Sequence, residues 1–126
     1  MLMLDTSAVL FLAFGDSRLS DGARERIANA DQIGYSSVSA YESHFKHKLG
    51  KLLLPTEPEL FLHAVNATYG FAVIPVSEVI ANTAAALPLH HRDPFDRIII
   101  ATAAILNAEI ITSDRIFTNY AVTVHH

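Results

Sequence analysis

Acidic residues stand at four separated places in the sequence where each would border a protein interior. Asp5 follows the apolar segment 1–4, Asp114 follows a second apolar segment, Glu42 lies early in one predicted helix, and Asp96 lies in the first turn of another. An ionised carboxylate at such a position requires hydrogen-bond donors or a cation. Four carboxylates brought together repel one another, and a divalent cation reverses that repulsion.

The chemistry that such a cluster would support is hydrolysis of a phosphodiester. The sequence contains no cysteine, so a metal would bind through oxygen or imidazole, and hard oxygen ligands favour Mg²⁺ or Mn²⁺. A cation held this way orients a phosphate, lowers the pKa of a water and stabilises charge on the phosphoryl oxygens. Asp5, Glu42, Asp96 and Asp114 are therefore the candidate catalytic and metal-ligating residues.

Two of the acidic positions also have a purely structural interpretation in their local sequence. Asp93 followed by Pro94 is a typical helix start, with Asp93 as the N-cap. Glu42 has the capping-box spacing from Ser39 and the i+4 spacing of an ion pair with Lys46. Both interpretations stay open when each residue is considered alone.

Positions in the predicted sheet favour a shared site over separate caps. Taken singly, Asp5 and Asp114 are explained as N-caps, and Asp96 as a charge that complements the helix dipole. However, both aspartates follow strands whose carboxyl ends meet at one edge of a parallel sheet, where open α/β sheets bind ligands. Asp96 opens the helix before the strand of Asp114, and Glu42 follows the second strand. Separate caps have no reason to converge in this way.

An alternation of strands and helices along the chain predicts that sheet. Apolar and β-branched runs predict strands at 1–4, 32–36, 71–76, 109–112 and 120–124. Helical spacing and capping residues predict helices at 8–14, 20–30, 39–49, 59–69, 77–87 and 93–106, with a helical turn at 114–119. This order predicts an α/β fold with a mostly parallel central sheet that helices cover on both faces.

Length and composition fit a single domain over residues 1–126. A chain of 13.8 kDa with 51% hydrophobic residues buries a substantial core. No apolar run reaches the length of about 18 residues that a membrane span requires, and no signal peptide is recognised, so we expect a cytoplasmic protein with no membrane partner. The net charge of −4 argues against nucleic-acid binding by bulk electrostatics, although cations on an acidic site would neutralise part of it. His125 and His126 are assigned no role.

These residues together resemble a PIN-domain protein, and more closely a VapC-type ribonuclease toxin of a toxin–antitoxin pair. The similarity covers segments 3–7, 37–42, 48–52, 91–97 with 100–103, and 111–114, of which 91–97 (HRDPFDR) is the most specific. It implies a PIN-like three-layer α/β/α sandwich, a Mg²⁺- or Mn²⁺-dependent endoribonuclease site, RNA as substrate, frequent homodimerisation and a cognate antitoxin as partner. Tyr41 is a departure, because relatives often carry Trp there.

The resemblance also assigns roles to residues by position. The acidic ligands would be Asp5, Glu42, Asp96 and Asp114. Polar support would come from residues beside them, namely Thr6, Asp93, and Thr112 or Ser113. Basic side chains around the sheet edge would hold RNA phosphates, with His90 and His91 adding local positive charge. The candidates for this basic margin are Lys46, Lys48, Arg92, Arg97 and Arg115.

Two other classes of function stay open. A signalling module that binds Mg²⁺ and accepts a phosphoryl group would place adjacent acids after the first strand and a lysine on a late strand. This chain has a single acid, Asp5, after that strand and no lysine beyond Lys51. A non-catalytic domain would act through protein–protein contacts, with the apolar segments 10–14 and 53–62 as candidate surfaces. A zinc hydrolase is disfavoured because no His-x-x-x-His pair occurs.

Overall fold

Five short strands form one parallel sheet in the computed structural model, which describes all residues from Met1 to His126. In chain order the strands are β1 (Leu2–Leu4), β2 (Ile33–Ser36), β3 (Ala72–Ile74), β4 (Glu109–Ile111) and β5 (Val124–His125). Their order across the sheet is β3-β2-β1-β4-β5, and each neighbouring pair is parallel. The predicted parallel α/β sheet is therefore confirmed.

Six α-helices and one 3₁₀ helix connect these strands. The helices are α1 (Thr6–Phe14), α2 (Asp21–Asn29), α3 (Ser37–Lys48), α4 (Pro58–Tyr69), α5 (Glu78–Ala86) and α6 (Pro94–Leu106), and the 3₁₀ helix covers Arg115–Asn119. No helix combines the length and the apolar character that a membrane crossing demands.

The alternation of side chains along the central strand divides the core into two layers. Leu2 and Leu4 of β1 pack with apolar side chains of α1, α2 and α4 on one face of the sheet. Met3 points to the other face and packs with branched side chains of α6 and with Phe117. Helix α5 packs against α6 on that second face. Sheet and helices thus form the three layers of an α/β/α sandwich, as predicted.

The last strand lies further along the chain than the sequence predicts. It was expected at 120–124, but β5 pairs with β4 through Val124 and His125. The preceding residues turn instead, since the Tyr120 N–H donates to the Phe117 carbonyl and the Val122 N–H donates to the Tyr120 carbonyl. His125, which had no assigned role, is therefore a residue of the sheet.

Candidate functional site

The carboxyl ends of β1 and β4 meet at the centre of the sheet. Strand β1 is flanked by β2 on one side and by β4 on the other, so the strand order reverses here and opens a crevice at the carboxyl edge. Asp5 directly follows β1, and Asp114 follows β4 after two residues. The Asp5 N–H donates to the Ile111 carbonyl at 3.1 Å and joins the two strand ends.

Asp5 is buried, and both of its carboxylate oxygens accept hydrogen bonds. Oδ1 accepts from the Ala8 N–H at 2.8 Å, which makes Asp5 the N-cap of α1. Oδ2 accepts from the hydroxyl of Thr112, whose Oγ1 accepts in turn from the Asp114 N–H at 3.0 Å. Burial raises the pKa of Asp5 to about 6 and outweighs these hydrogen bonds, which lower it, while Glu42 and Asp114 raise it further. Asp5 is therefore both a cap and a member of the acidic cluster.

Glu42 reaches the cluster from the second turn of α3. The helix begins at Ser37 and is capped by Ser36, whose Oγ accepts from the Val38 N–H at 3.2 Å. The predicted capping box between Ser39 and Glu42 is therefore wrong. Because β2 runs directly into its cap at Ser36, the helix starts earlier than the sequence pattern indicates, and Glu42 is not needed to close its first turn.

The two carboxylate oxygens of Glu42 have different environments. Oε2 lies 2.9 Å from Nζ of Lys46, in the i+4 pair that the spacing allows. Oε1 is buried and has no hydrogen-bond partner. A buried acceptor left without a partner costs about 1–3 kcal/mol, and more when it carries charge. No other buried side-chain nitrogen or oxygen of the chain lacks a hydrogen-bond partner.

Asp96 lies in the first turn of α6, which Asp93 caps by accepting a backbone hydrogen bond at 2.9 Å. Desolvation raises the pKa of Asp96 to about 7, the Asp93 carboxylate adds to that increase, and His91 opposes it. Asp5 and Glu42 raise the same pKa, although they are distant in sequence. The structure thus brings the predicted acids Asp5, Glu42, Asp96 and Asp114 together, with Asp93 at the margin.

His91 completes the cluster. Its Nε2 lies 2.8 Å from Oδ2 of Asp114 and 3.0 Å from Oδ2 of Asp96. Ligand-type atoms of these three residues lie within 4.8 Å of one another. The sequence indicates only local positive charge at this position, because His91 stands two residues before the N-cap of α6 and no spacing rule links it to Asp114.

The residues predicted to support the acids have different surroundings. Thr6 is buried, and its hydroxyl donates to Oγ of Ser39 at 2.8 Å, which joins α1 to α3. Of the alternatives Thr112 and Ser113, Thr112 is buried and donates to Asp5, whereas Ser113 is exposed. The structure therefore places Thr112, and not Ser113, against the cluster.

Arg97 does not belong to an exposed basic margin. The residue is buried, and its guanidinium donates to backbone carbonyls at the end of α5 and in the loop before α6, namely those of Ala84, Ala85, Leu87, Pro88 and His91. These hydrogen bonds hold the guanidinium inside the fold, where it is not available to a phosphate. The prediction that Arg97 contacts RNA is therefore wrong. Lys48, Arg92 and Arg115 are exposed, and Lys46 pairs with Glu42.

The donor set fits a hard divalent cation. Carboxylates from four separate elements converge, and no thiolate is available, a combination that suits Mg²⁺ or Mn²⁺. Oε1 of Glu42 has no hydrogen-bond partner, and burial, helped by the neighbouring carboxylates, raises the pKa values of Asp5 and Asp96. A cation bound here would favour the ionised form of these carboxylates.

The fold is an all-parallel α/β/α sandwich, and the acids lie at the carboxyl edge of its central strands. The protein therefore belongs to the class of α/β proteins whose ligand site lies where the strand order reverses. Comparison with known families makes the assignment specific, because the PIN domain matches residues 2–122. The chain belongs to the PIN domain family, as its motifs predict. A search of the curated proteins finds no match.

Solved structures with a similar fold include a toxin–antitoxin complex. A toxin–antitoxin complex from Klebsiella pneumoniae is 23% identical with a TM-score of 0.71, covering 100% of this chain and 97% of that one. VapBC2 from Rickettsia felis, bound to a promoter DNA fragment, is 15% identical with a TM-score of 0.71 and coverage of 98% and 96%. FitAcB from Neisseria gonorrhoeae is 18% identical with a TM-score of 0.71 and coverage of 100% and 97%. At these identities the likeness establishes the fold.

Proposed function

We propose that this protein is a Mg²⁺- or Mn²⁺-dependent endoribonuclease that acts as the toxin of a type II toxin–antitoxin system. The observation that carries the proposal is the buried Oε1 of Glu42, which has no partner and belongs to an acidic cluster at the crevice of the sheet. A cation held by Asp5, Glu42, Asp96 and Asp114 satisfies this oxygen and relieves the repulsion among the carboxylates. Membership of the PIN domain family, whose members are generally nucleases, supports the same assignment.

Two of the four proposed ligands follow strands and two lie on helices. Asp5 and Asp114 hold the cation from the ends of β1 and β4, and Glu42 and Asp96 hold it from α3 and α6. When bound, the cation lowers the pKa of a water and stabilises charge on the phosphoryl oxygens. The chain contributes orientation, since hydrogen bonds from Ala8 and Thr112 fix the Asp5 carboxylate. No residue needs to form a covalent bond to the RNA.

Exposed aromatic side chains beside the acids support single-stranded RNA as the substrate class. Tyr41, next to Glu42, stacks on Phe45 with ring centroids 6.1 Å apart and an angle of 8° between the planes. Tyr41 also contacts Phe95, next to Asp96, with centroids 5.6 Å apart. Unpaired bases stack on such faces while neighbouring cations hold the phosphates. Exposed lysine and arginine side chains on α3 and before α6 are available for that role.

The deciding experiment combines Mn²⁺ binding with RNA cleavage. Mn²⁺ should raise the free energy of unfolding by about 2.7 kcal/mol at a concentration 100 times its Kd, because the ion binds the native site only. An RNA with single-stranded loops should be cleaved in Mn²⁺ and left intact in EDTA. Glu42→Gln keeps the size of the side chain but removes its charge and should weaken both effects. Glu25→Gln, at an exposed acid on α2, is the matched control and should behave as wild type.

The alternatives have distinct outcomes in the same experiment. If the wild-type protein shows neither Mn²⁺ stabilisation nor cleavage, the nuclease proposal fails and a non-catalytic interaction domain is favoured. If Mn²⁺ stabilises the protein but RNA stays intact, the Mg²⁺-binding signalling module is favoured, and labelling by acetyl phosphate would identify it.

An antitoxin protein is the proposed partner. Three large apolar side chains lie exposed on α1, on α4 and in the loop between α3 and α4: Phe14 is 46%, Leu60 63% and Leu53 86% exposed. By contrast, Leu10 and Leu12 of the same α1 are buried in the core. Surfaces that bind a protein partner expose large apolar side chains of this kind. The solved toxin–antitoxin complex from Klebsiella pneumoniae, which has this fold, supports an antitoxin as that partner.

We further propose that the protein is a single-domain, cytoplasmic homodimer that leaves this apolar surface free for the antitoxin. Sedimentation equilibrium of the protein alone should give the mass of a dimer. Leu53→Lys should also sediment as a dimer, because an antitoxin surface lies outside the contact between copies. A monomeric Leu53→Lys variant would instead assign Leu53 to the dimer contact, and a monomeric wild-type protein would refute the dimer.

A further inference from the structure

His91 is fixed in place through its backbone as well as its ring. The residue is 8% exposed and lies in the loop between α5 and α6. Its N–H donates to the hydroxyl of Tyr120 at 2.7 Å, and its carbonyl accepts from Arg97 at 3.0 Å. Its ring packs edge-on against Phe117, with centroids 5.7 Å apart at 81°. The imidazole therefore has one defined orientation.

The contacts of the two ring nitrogens determine which of them carries the proton. Nδ1 lies 3.2 Å from the backbone nitrogen of Asp93. An amide N–H only donates, so Nδ1 must accept with its lone pair, and the proton of the ring lies on Nε2. This Nε2–H pairs with Oδ2 of Asp114 at 2.8 Å, and Oδ2 of Asp96 lies 3.0 Å from the same nitrogen.

We propose that His91 is a positioning residue that holds the Asp96 and Asp114 carboxylates in register for one cation. The inference rests on the proposed function and assigns His91 a task within that site. The two acids belong to separate elements, α6 and the segment that caps the 3₁₀ helix, and their charges repel. The Nε2–H donates to Oδ2 of Asp114 at 2.8 Å, and Oδ2 of Asp96 lies 3.0 Å from the same nitrogen. A positively polarised N–H between the two carboxylates offsets that repulsion and sets their spacing before a cation binds.

The geometry argues that His91 acts as a donor and not as a metal ligand. Coordination through Nε2 requires a lone pair there, which would move the proton to Nδ1. That proton would then face the N–H of Asp93, two donors 3.2 Å apart. Asp114 is already oriented by the Ile116 N–H, which donates to Oδ1 at 2.9 Å, so Oδ2 is the oxygen that His91 controls.

Two substitutions at His91 test the role of the Nε2–H donor separately from that of the rest of the imidazole ring. The amide nitrogen of glutamine reaches the position of Nε2, whereas the amide of asparagine ends near the position of Nδ1. In calorimetric titrations, His91→Asn should raise the Kd for Mn²⁺ by about 10- to 100-fold. This is the effect expected when a metal-ligating residue loses its hydrogen-bond partner. His91→Gln should stay within about threefold of wild type, because it restores the donor.

The result for wild type separates this inference from the function on which it rests. Failure of the wild-type protein to bind Mn²⁺ would overturn the metal site itself. Tight Mn²⁺ binding by wild type with unchanged binding by folded His91→Asn would overturn only the role of His91. Equal losses in His91→Gln and His91→Asn would also overturn it, because the donor position would then not matter.

Two measurements on the wild-type protein decide the matter even where a variant fails to fold. In the metal-free protein, ¹⁵N shifts of the His91 ring should show a protonated Nε2 and an unprotonated Nδ1, and the opposite pattern would refute the donor role. In the Mn²⁺ complex, electron spin echo spectra should lack the strong ¹⁴N coupling of a directly coordinated imidazole. Detection of that coupling would make His91 a ligand and overturn the proposal.

Discussion

Asp96→Asn is expected to abolish most RNA cleavage while making the metal-free protein more stable near neutral pH. The cation contributes several kcal/mol to the transition state, so losing one of its ligands should lower the rate by about 100- to 1000-fold. Stability should rise because the pKa of Asp96 is raised to about 7 by desolvation and by Asp93, and an amide carries no charge to desolvate. The expected gain is about 2–4 kcal/mol above pH 7, measured by urea unfolding in EDTA.

Opposite changes in activity and stability make this prediction specific. In the wild-type protein, Oδ2 of Asp96 lies 3.0 Å from Nε2 of His91. Asparagine keeps a side-chain oxygen that can accept from this nitrogen. Asp31→Asn is the matched control, because Asp31 is exposed and precedes β2 at the opposite edge of the sheet. The Asp31→Asn variant should change neither the rate of RNA cleavage nor the stability of the protein. An Asp96→Asn variant that cleaves RNA at the wild-type rate would remove Asp96 from the site, and one that is less stable at pH 8 would contradict the electrostatic account.

The parts of the site that follow strand ends could be predicted from sequence. Asp5 and Asp114 come after apolar strands, and in a parallel sheet such positions share one edge whatever the packing details. Asp93 was predicted as the N-cap of α6 from its place before Pro94, and the structure confirms it. These features depend on local sequence and on sheet topology, both of which leave a clear pattern in the chain.

Features that depend on contacts between distant segments could not be predicted. The Ser39–Glu42 spacing matches a capping box, yet Ser36 caps α3 because β2 ends there. Arg97 appears in a run of charged residues, but its guanidinium donates to backbone carbonyls at the end of α5 and in the loop before α6. His91 is oriented by Tyr120, which is 29 residues away in the chain. No periodicity or spacing rule carries such information.

The stability of the metal-free protein is expected to fall as the pH rises from about 5 to about 7.5, by roughly 3 kcal/mol. Desolvation raises the pKa of Asp5 to about 6 and that of Asp96 to about 7, from an ordinary value of 3.8. Between the ordinary and the raised values, the folded state binds more protons than the unfolded state. The stabilisation is therefore complete below the ordinary pKa and is lost as the pH passes through the raised values.

Mn²⁺ should reverse this trend, because it binds the ionised carboxylates and competes with protons for them. Urea unfolding in EDTA and in saturating Mn²⁺ should give similar stabilities near pH 5 and increasingly different ones towards pH 7.5, with the Mn²⁺ form the more stable. The double variant Asp5→Asn with Asp96→Asn should lose most of the pH dependence in EDTA. A metal-free protein whose stability increases across this interval would show that these two carboxyl groups ionise at ordinary pH values, and the cluster would then have no unmet charge for a cation to neutralise.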